Sequence, residues 1–444
     1  FSIPPFIEWP DDILSALGAD YRIVKGGYEY NGAPIAPPDP AEIGKALSDL
    51  AAAGMESLAV SGAFSMVNPE QEKLVFRLAK EKLGSGFPVT LSHEIGSIGL
   101  IERENAAILN ASIRKLAETA YGSFENVLKK HGISADLFIT QNDGTLMGID
   151  FAKRYPVLTI ASGPTNSLRG AAYLSGERDA IVVDVGGTTT DVGVLKSGFP
   201  RESGSAVEIG GVRTNFRMPD LISIGLGGGS LVREEGQGVR VGPDSVGFRI
   251  RTEALCFGGS TLTTTDVAVA AGRADIGARD KVSHIPAELQ KKTTAEIRRM
   301  VEEVLDKMKT VAGDVPVVVV GGGSILVPET LAGASAVIKP RYFEVANAIG
   351  AAIAQVSGQV DGVFDVAGKG REAVIAEVKK AAMDNALKAG AAEGTVEIVE
   401  IYEIPLAYLP SNAVRFRAKA VGDLKRSCKN SKGKSQIKEK ENGI

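Results

Sequence analysis

Apolar positions recur along this chain in two rhythms, one of period two and one close to 3.6, and the switches between them mark out its elements. Tyr21 to Tyr30, followed by Asn31-Gly32, predicts a strand and a hairpin turn. Pro40 to Gly54 predicts a helix ended by glycine, Ser57 to Phe64 a strand, Pro69 to Leu83 a helix and Pro88 to Ser92 a strand. Ile101 to His131 carries helical spacing over a long run, and Asp136 to Thr140 reads as a strand. Such alternation argues for a parallel or mixed sheet covered by helices. Beyond it, Val157 to Ala161 predicts a strand entering a Gly163-Pro164 turn, with Ser167 as the cap of the next helix. Helical segments are expected at Thr265 to Gly272, Pro286 to Ala312, Arg341 to Gly358 and Gly370 to Ala391, and a strand at Gly394 to Glu400. Phe1 to Asp20, with Pro4, Pro5 and Pro10, reads as an irregular arm in which Trp9 packs. Lys425 to Ile444 has almost no apolar residues and is expected to be a disordered basic tail.

One stretch organises the rest. Ile181 to Val185 is a β-branched run that breaks at Gly186-Gly187 and resumes through Thr188, Thr189, Thr190 and Asp191 to Leu195. This predicts a strand, a tight loop and a second strand. The glycines let a ligand approach the main chain, and the threonine hydroxyls beside bare amides suit phosphate oxygens. Asp184 and Asp191 flank the loop, placed to hold a hydrated divalent ion or orient a water. An ordinary Gly-Gly-Thr hairpin is the competing reading, because these residues are common turn formers. Downstream, Val317 to Val320 is another buried-strand run, ending in Gly321-Gly322-Gly323-Ser324, where a base or ribose can lie against backbone.

Further candidates lie at other ends of predicted strands. Ser162 and Gly163 open a helix whose free amides could meet an anion, a plain strand-to-helix turn being the alternative. Asn142 and Asp143, within Gln141 to Gly144, sit at what would be the carboxyl edge of a sheet, where ligands bind in open α/β folds. His93 stands beside Glu94, but neighbours on a strand face opposite ways, so the two form no dyad. One of them can reach a substrate; a structural histidine is the other reading. His131 suits a helix C-terminus and His284 a polar linker. Ser223 to Ser230 holds Gly225 and Gly227 but has Ser230 where a dinucleotide fingerprint needs its third glycine. Asp266 fits a helix N-terminal carboxylate with Thr265 as the cap.

Composition narrows the class. With 444 residues, two or three domains are expected. A hydrophobic fraction of 44% and a charged fraction of 23% belong to a globular chain. A net charge of -4 offers no footprint for nucleic acid or an anionic membrane. The 2 cysteines, Cys256 and Cys428, cannot build a disulfide framework, and with 3 histidines and no ligand spacing a zinc site is not expected. No run is apolar enough to span a bilayer and the start lacks a secretory pattern, so a reducing, cytoplasmic location is expected.

The two strand-to-glycine turns, in this order and separated by a long insertion, resemble the nucleotide-binding half of the actin, sugar kinase and heat-shock chaperone superfamily. More closely, Val183-Asp-Val-Gly-Gly-Thr-Thr-Thr-Asp-Val-Gly193, Ser223-Ile-Gly-Leu-Gly-Gly-Gly-Ser230, Val241-Gly-Pro-Asp-Ser-Val-Gly247 and Thr263-Thr-Thr-Asp-Val-Ala-Val-Ala-Ala-Gly272 resemble the hydantoinase/oxoprolinase family, in particular the A subunit of hydantoin-utilisation enzymes. The resemblance runs from about Lys25 to Leu424. It implies an α/β, actin-like ATPase fold, with an N-terminal region over 1–155 and a nucleotide-binding domain over 156–424. It also implies ATP-dependent hydrolysis of a cyclic amide of the hydantoin or 5-oxoproline type. Asp184 and Asp191 would serve Mg²⁺ and water, Gly186 to Thr190 the phosphates, Gly321 to Ser324 the adenosine, and Gly227, Gly228 and Gly229 the nucleotide or substrate. Ser162, Gly163, Asn142, Asp143 and His93 are the candidate substrate residues. A hydantoinase B-type partner subunit and an oligomeric assembly are expected. The family's earlier phosphate loop has no counterpart before Lys25, so the first half of the fold is expected to be incomplete. That departure favours, as alternatives, a fragment or non-catalytic scaffold, while the shared architecture keeps an ATP-dependent ketone carboxylase subunit in view.

Overall fold

The computed structural model describes residues 3–96, 98–203, 207–406 and 413–425. Its central element is a six-stranded sheet in which Leu221–Ile224, Thr190–Lys196, Ala180–Val185, Val315–Val320 and Ala334–Ile338 lie side by side, with Phe199–Pro200 added on Thr190–Lys196. The Ala180–Val185 hairpin is antiparallel, whereas Val315–Val320 and Ala334–Ile338 run parallel to its first strand. Strand alternation divides the core. Ile181, Val183 and Val185 pack with Val317, Val319 and the apolar stripe Ile297, Val301, Val304 and Leu305 of the helix Ala287–Met308. Val182, Val318 and Val320 face the opposite layer, built on Leu168 and Ala171 of the helix Ser162–Ser175. Asp184 follows Val182 on that second face, at the point where the apolar run ends. The result is an α/β architecture of mixed sheets covered by helices.

A second mixed sheet of five strands has the order Glu397–Pro405, Ala413–Gly422, Gln355–Asp365, Thr145–Gly148, Phe138–Thr140, and is covered by the helix Arg371–Lys388. Towards the N-terminus, Leu58–Val60 and Val89–Leu91 form a parallel pair between the helices Pro40–Ala52, Glu70–Leu83 and the 31-residue helix Leu100–Lys130. No helix among the described residues is long and apolar enough to cross a membrane.

Most predicted elements appear, shortened at their ends, and several differ. Tyr21 to Tyr30 forms no strand beyond the bridge from Tyr28 to Pro34. Trp9 is buried just before a short helix, Asp11–Leu17, and its indole N–H donates to Asn105 Oδ1 at 2.7 Å. Val157 to Ala161 is not a strand; Pro156–Thr159 is a 3-10 turn whose Val157 packs on Ala106 and Phe216. A short apolar run does not reveal its own period. The next helix therefore starts at Ser162 with Ala161 at its N-cap, and Ser167 lies inside it. Of Arg341 to Gly358, only Ala346–Ala352 is α-helical. The strand Gln355–Asp365 follows, hidden in sequence by its glycines, of which Gly358 lies directly under Ala382 and Ala386 of the covering helix. The expected tail lies outside the described residues apart from Lys425, whose N–H donates to Gly390 O.

Glu104 lines a cavity of about 490 Å³ together with Leu47, Leu50 and Leu58. Burial pushes its carboxyl up to about 7, against the opposing charge of Arg103. A carboxyl raised on folding contributes stability that is full below its unfolded value of 4.5 and lost as pH rises through about 7. Glu104→Gln is accordingly expected to stabilise the protein at pH 8 by about 1–2 kcal/mol and to change little at pH 4, read as denaturant midpoints at the two pH values.

Candidate functional site

In the hairpin, Asp184 stands directly opposite Asp191, and Ser223 on the neighbouring strand stands opposite Asp191 in turn. Directly opposed residues of antiparallel strands share a face, so the two carboxylates and the hydroxyl form one row. Ser223 Oγ donates to Asp191 Oδ1 in a short hydrogen bond, and the buried Ser167 hydroxyl, from the helix above the sheet, bonds to Asp184. Burial raises the Asp184 carboxyl above its ordinary value; the Ser167 bond offsets part of this and the charge of Asp191 adds to it. Asp191 is raised as well, by burial, against the bond from Ser223. Neither carboxylate has a cationic partner among the described residues. Two adjoining carboxylates without a counter-charge disfavour the doubly ionised state, and a divalent cation removes that penalty. The described residues bring no group of three or more metal-ligating side chains together. Such a pair fits Mg²⁺, which keeps several waters and is held through one or two carboxylates plus substrate phosphates.

The loop between the aspartates is bare. Gly187, Thr188 and Thr189 are exposed, and their amides donate to no backbone acceptor among the described residues, whereas Gly186 N–H closes the turn on Thr189 O at 2.9 Å. Neither Gly186 nor Gly187 takes a positive φ, so their use here is the missing side chain.

The glycine run Gly227, Gly228 and Gly229 is buried beneath this loop. Gly228 N–H donates to Gly186 O at 3.0 Å and Gly229 N–H to Gly187 O at 2.7 Å. Gly227 N–H is taken by Ser230 Oγ at 2.8 Å. The Gly228 and Gly229 amides are thus committed to bracing the exposed loop. The brace is anchored in turn by Thr264, whose hydroxyl donates to the Gly227 and Gly228 carbonyls, and by Thr265, whose hydroxyl donates to Gly228 O at 2.7 Å. Asp266 is buried at the end of this chain of contacts, where it completes a capping box with Thr263, the residue that caps the helix in place of Thr265.

Gly321, Gly322, Gly323 and Ser324 follow the strand parallel to Ala180–Val185. Gly323 N–H donates to Val185 O at 2.7 Å, and Ser324 Oγ donates to Gly321 O at 2.6 Å, which leaves Gly322 exposed beside the first loop. Gly321 has φ +86, and a Cβ there would collide with Asp184 Oδ1 and Val185 O. Sequence spacing gave no sign of this contact.

The remaining candidates divide. Ser162 and Gly163 open the helix that carries Ser167, and Asn347 Nδ2 donates to Gly163 O at 2.8 Å and to Ser167 Oγ at 3.3 Å. Asn142 and Asp143 are buried and engaged elsewhere. Asn142 Nδ2 donates to Arg217 O at 2.6 Å, while Asp143 pairs with the buried Lys419 at 2.9 Å and accepts from Thr145. Burial raises the Asp143 carboxyl, but the charge of Lys419 and the Thr145 bond bring it net below its ordinary value. Asp143 thus staples the second sheet, while Asn142 ties its turn to the segment at Arg217.

His93 and Glu94 lie on the 3-10 turn Ser92–Glu94 at the carboxyl end of Val89–Leu91. On a turn the alternation expected of a strand does not apply, yet the two form no dyad with each other and take different partners. Glu94 binds Arg154 and Tyr155, while His93 Nδ1 meets Glu72 Oε2 at 2.6 Å. Glu72, in the first turn of the helix Glu70–Leu83, carried no signal in the sequence. His131 caps the long helix and His284 is exposed.

Two family models match the chain, hydantoinase/oxoprolinase N-terminal region over residues 12–83 and hydantoinase/oxoprolinase over residues 103–278. The chain belongs to the hydantoinase/oxoprolinase family. It is similar to the acetophenone carboxylase gamma subunit of Aromatoleum aromaticum, at 30% identity over 266 residues, which cover 58% of this chain and 35% of that protein. It is also similar to the 5-oxoprolinase of Saccharomyces cerevisiae, at 28% identity over 278 residues, 61% of this chain and 21% of that one. The chain therefore spans well under half the length of these relatives. The crystal structure of the ATP-dependent caprolactamase from Pseudomonas jessenii shares the fold, with a TM-score of 0.69 over 91% of this chain and 70% of that chain at 17% identity.

Proposed function

We propose that the Asp184–Asp191 hairpin binds the phosphates of Mg·ATP and that the chain uses them to activate the carbonyl of a cyclic amide of the hydantoin or 5-oxoproline type for hydrolysis. The observation that carries the reading is the row of two uncompensated carboxylates beside an exposed Gly-Thr loop whose amides are free. An unstrained lactam carbonyl is a poor electrophile, and ATP supplies the γ-phosphoryl group whose transfer to its oxygen yields a carbon that water attacks. Asp184 and Asp191 hold Mg²⁺, and Ser167 and Ser223 fix their carboxylates. The amides and hydroxyls of Gly187, Thr188 and Thr189 cradle phosphate oxygens, and Gly321 to Ser324 offer bare backbone to the adenosine. Catalysis of this kind is positioning and charge neutralisation, for which a hairpin braced from below by Gly227 to Gly229 is suited.

The similarity to a carboxylase subunit favours a second reading, in which the phosphorylated oxygen belongs to a ketone enolate and bicarbonate supplies the carboxyl group. A partner subunit is proposed in either case. Calorimetric titration with Mg·ATP, followed by phosphate release with 5-oxoproline, a hydantoin, or a ketone with and without bicarbonate, separates them. Binding with lactam-stimulated release is the expected result. Release that depends on ketone and bicarbonate together selects the second reading, and no nucleotide binding defeats both.

A further inference from the structure

The geometry points to a carboxylate–imidazole dyad, Glu72 and His93, in which His93 Nε2 accepts the proton of the attacking water; this rests on the amide-hydrolysis reading above. Glu72 is 2% exposed, and protein donors take the place of water around its carboxylate. Its Oε1 accepts from Ser92 Oγ at 2.6 Å and Gly62 N–H at 3.0 Å, and its Oε2 from His93 N–H at 3.2 Å and His93 Nδ1 at 2.6 Å. Arg103, buried beneath, donates from Nε to Ser92 Oγ at 3.0 Å and from Nη2 to Gly62 O at 2.5 Å, which fixes the donors themselves. A carboxylate so placed holds the imidazole proton on Nδ1. Nε2 is then a bare lone pair with no hydrogen-bond partner among the described residues, on a side chain that is 15% exposed.

The position fits the role. Leu58–Val60 and Val89–Leu91 are parallel, and Gly62 and His93 follow them at one carboxyl edge, where open α/β sheets take their ligands. Ser92 and two backbone amides serve Glu72 besides the imidazole. In the proposed step an O–H bond of water breaks, its oxygen bonds to the carbonyl carbon of the O-phosphorylated lactam, the C=N electron pair withdraws onto the ring nitrogen, and the water proton passes to Nε2. The imidazolium so formed is stabilised by Glu72, which stays ionised, and gives its proton to the ring nitrogen as the C–N bond breaks; the acyl phosphate left behind is hydrolysed by a second water to carboxylate and phosphate. Glu72 is thus a positioning residue and His93 the proton acceptor.

Two measurements test this on the full chain. With only 3 histidines, imidazole nitrogen-15 spectra are readily assigned, and the neutral His93 ring is expected to carry its proton on Nδ1. His93→Gln is expected to bind Mg·ATP within twofold of wild type while lactam-stimulated phosphate release falls by about 10²-fold or more in kcat, with little change in KM. Glu72→Asp should restore part of the rate lost in Glu72→Gln. A proton found on Nε2, or an active wild type matched by His93→Gln, overturns the dyad's role alone. A wild type that binds Mg·ATP but releases phosphate with none of the lactams removes the reading beneath it.

Discussion

Asp184→Asn is expected to lower Mg·ATP-dependent turnover on the order of 10²–10³-fold and, at neutral pH, to make the cation-free protein more stable. The two effects have one cause. Asp184 and Asp191 are held opposite each other on a half-buried face, and burial together with their mutual charge raises the Asp184 carboxyl. A carboxyl raised on folding favours the native state most below its unfolded value, and that contribution is lost as pH rises through the folded value. At neutral pH the apo protein therefore carries an electrostatic penalty. Removing one charge relieves it, by roughly 0.5–2 kcal/mol, and removes a ligand for the cation that would otherwise repay it. Melting curves with and without Mg·ATP read both signs: the variant should melt higher alone and gain less from the nucleotide. Unchanged affinity and turnover in Asp184→Asn would show that the hairpin is not a phosphate clamp.

Gly227→Ala and Gly187→Ala should separate the brace from the surface it supports. A Cβ on Gly227 would lie 2.5 Å from Thr188 N and 2.6 Å from Gly187 C, both backbone atoms that cannot swing aside. Accommodating it means lifting the loop off its support, at a cost of about 1–3 kcal/mol in stability and with loss of Mg·ATP binding. Gly187 differs. Nothing lies within 4 Å of a Cβ there and its φ is ordinary, so Gly187→Ala should leave the denaturant midpoint in place. It should still weaken Mg·ATP binding, because the methyl group projects where phosphate oxygens approach the main chain. Equal stability losses in the two variants would show that the loop is packed rather than open. Unchanged nucleotide affinity in Gly187→Ala would move the phosphates elsewhere.

The amino-acid sequence by itself determined the parts of this protein whose physics is local. A β-branched run broken by Gly186-Gly187 between two aspartates can hardly be anything but a hairpin, and Pro40 with the apolar spacing behind it specifies a helix before any packing is known. The glycine loops that follow Ala180–Val185 and Val315–Val320 were legible for the same reason, each ending a strand, although their approach to each other was not. Tertiary structure decided what depends on partners far away in the chain. It made Gly228 and Gly229 a support, since their amides meet the Gly186 and Gly187 carbonyls, a pairing that spacing does not encode. It turned Asp143 inward to Lys419, and it joined Glu72 to His93 across 21 residues. It also overrode the apparent helix after Arg341, because Gly358 suits a strand only when a helix lies close above it. Hydrophobic period and turn chemistry are properties of a few consecutive residues, whereas the partner of a buried charge or a bare amide exists only once the chain has folded.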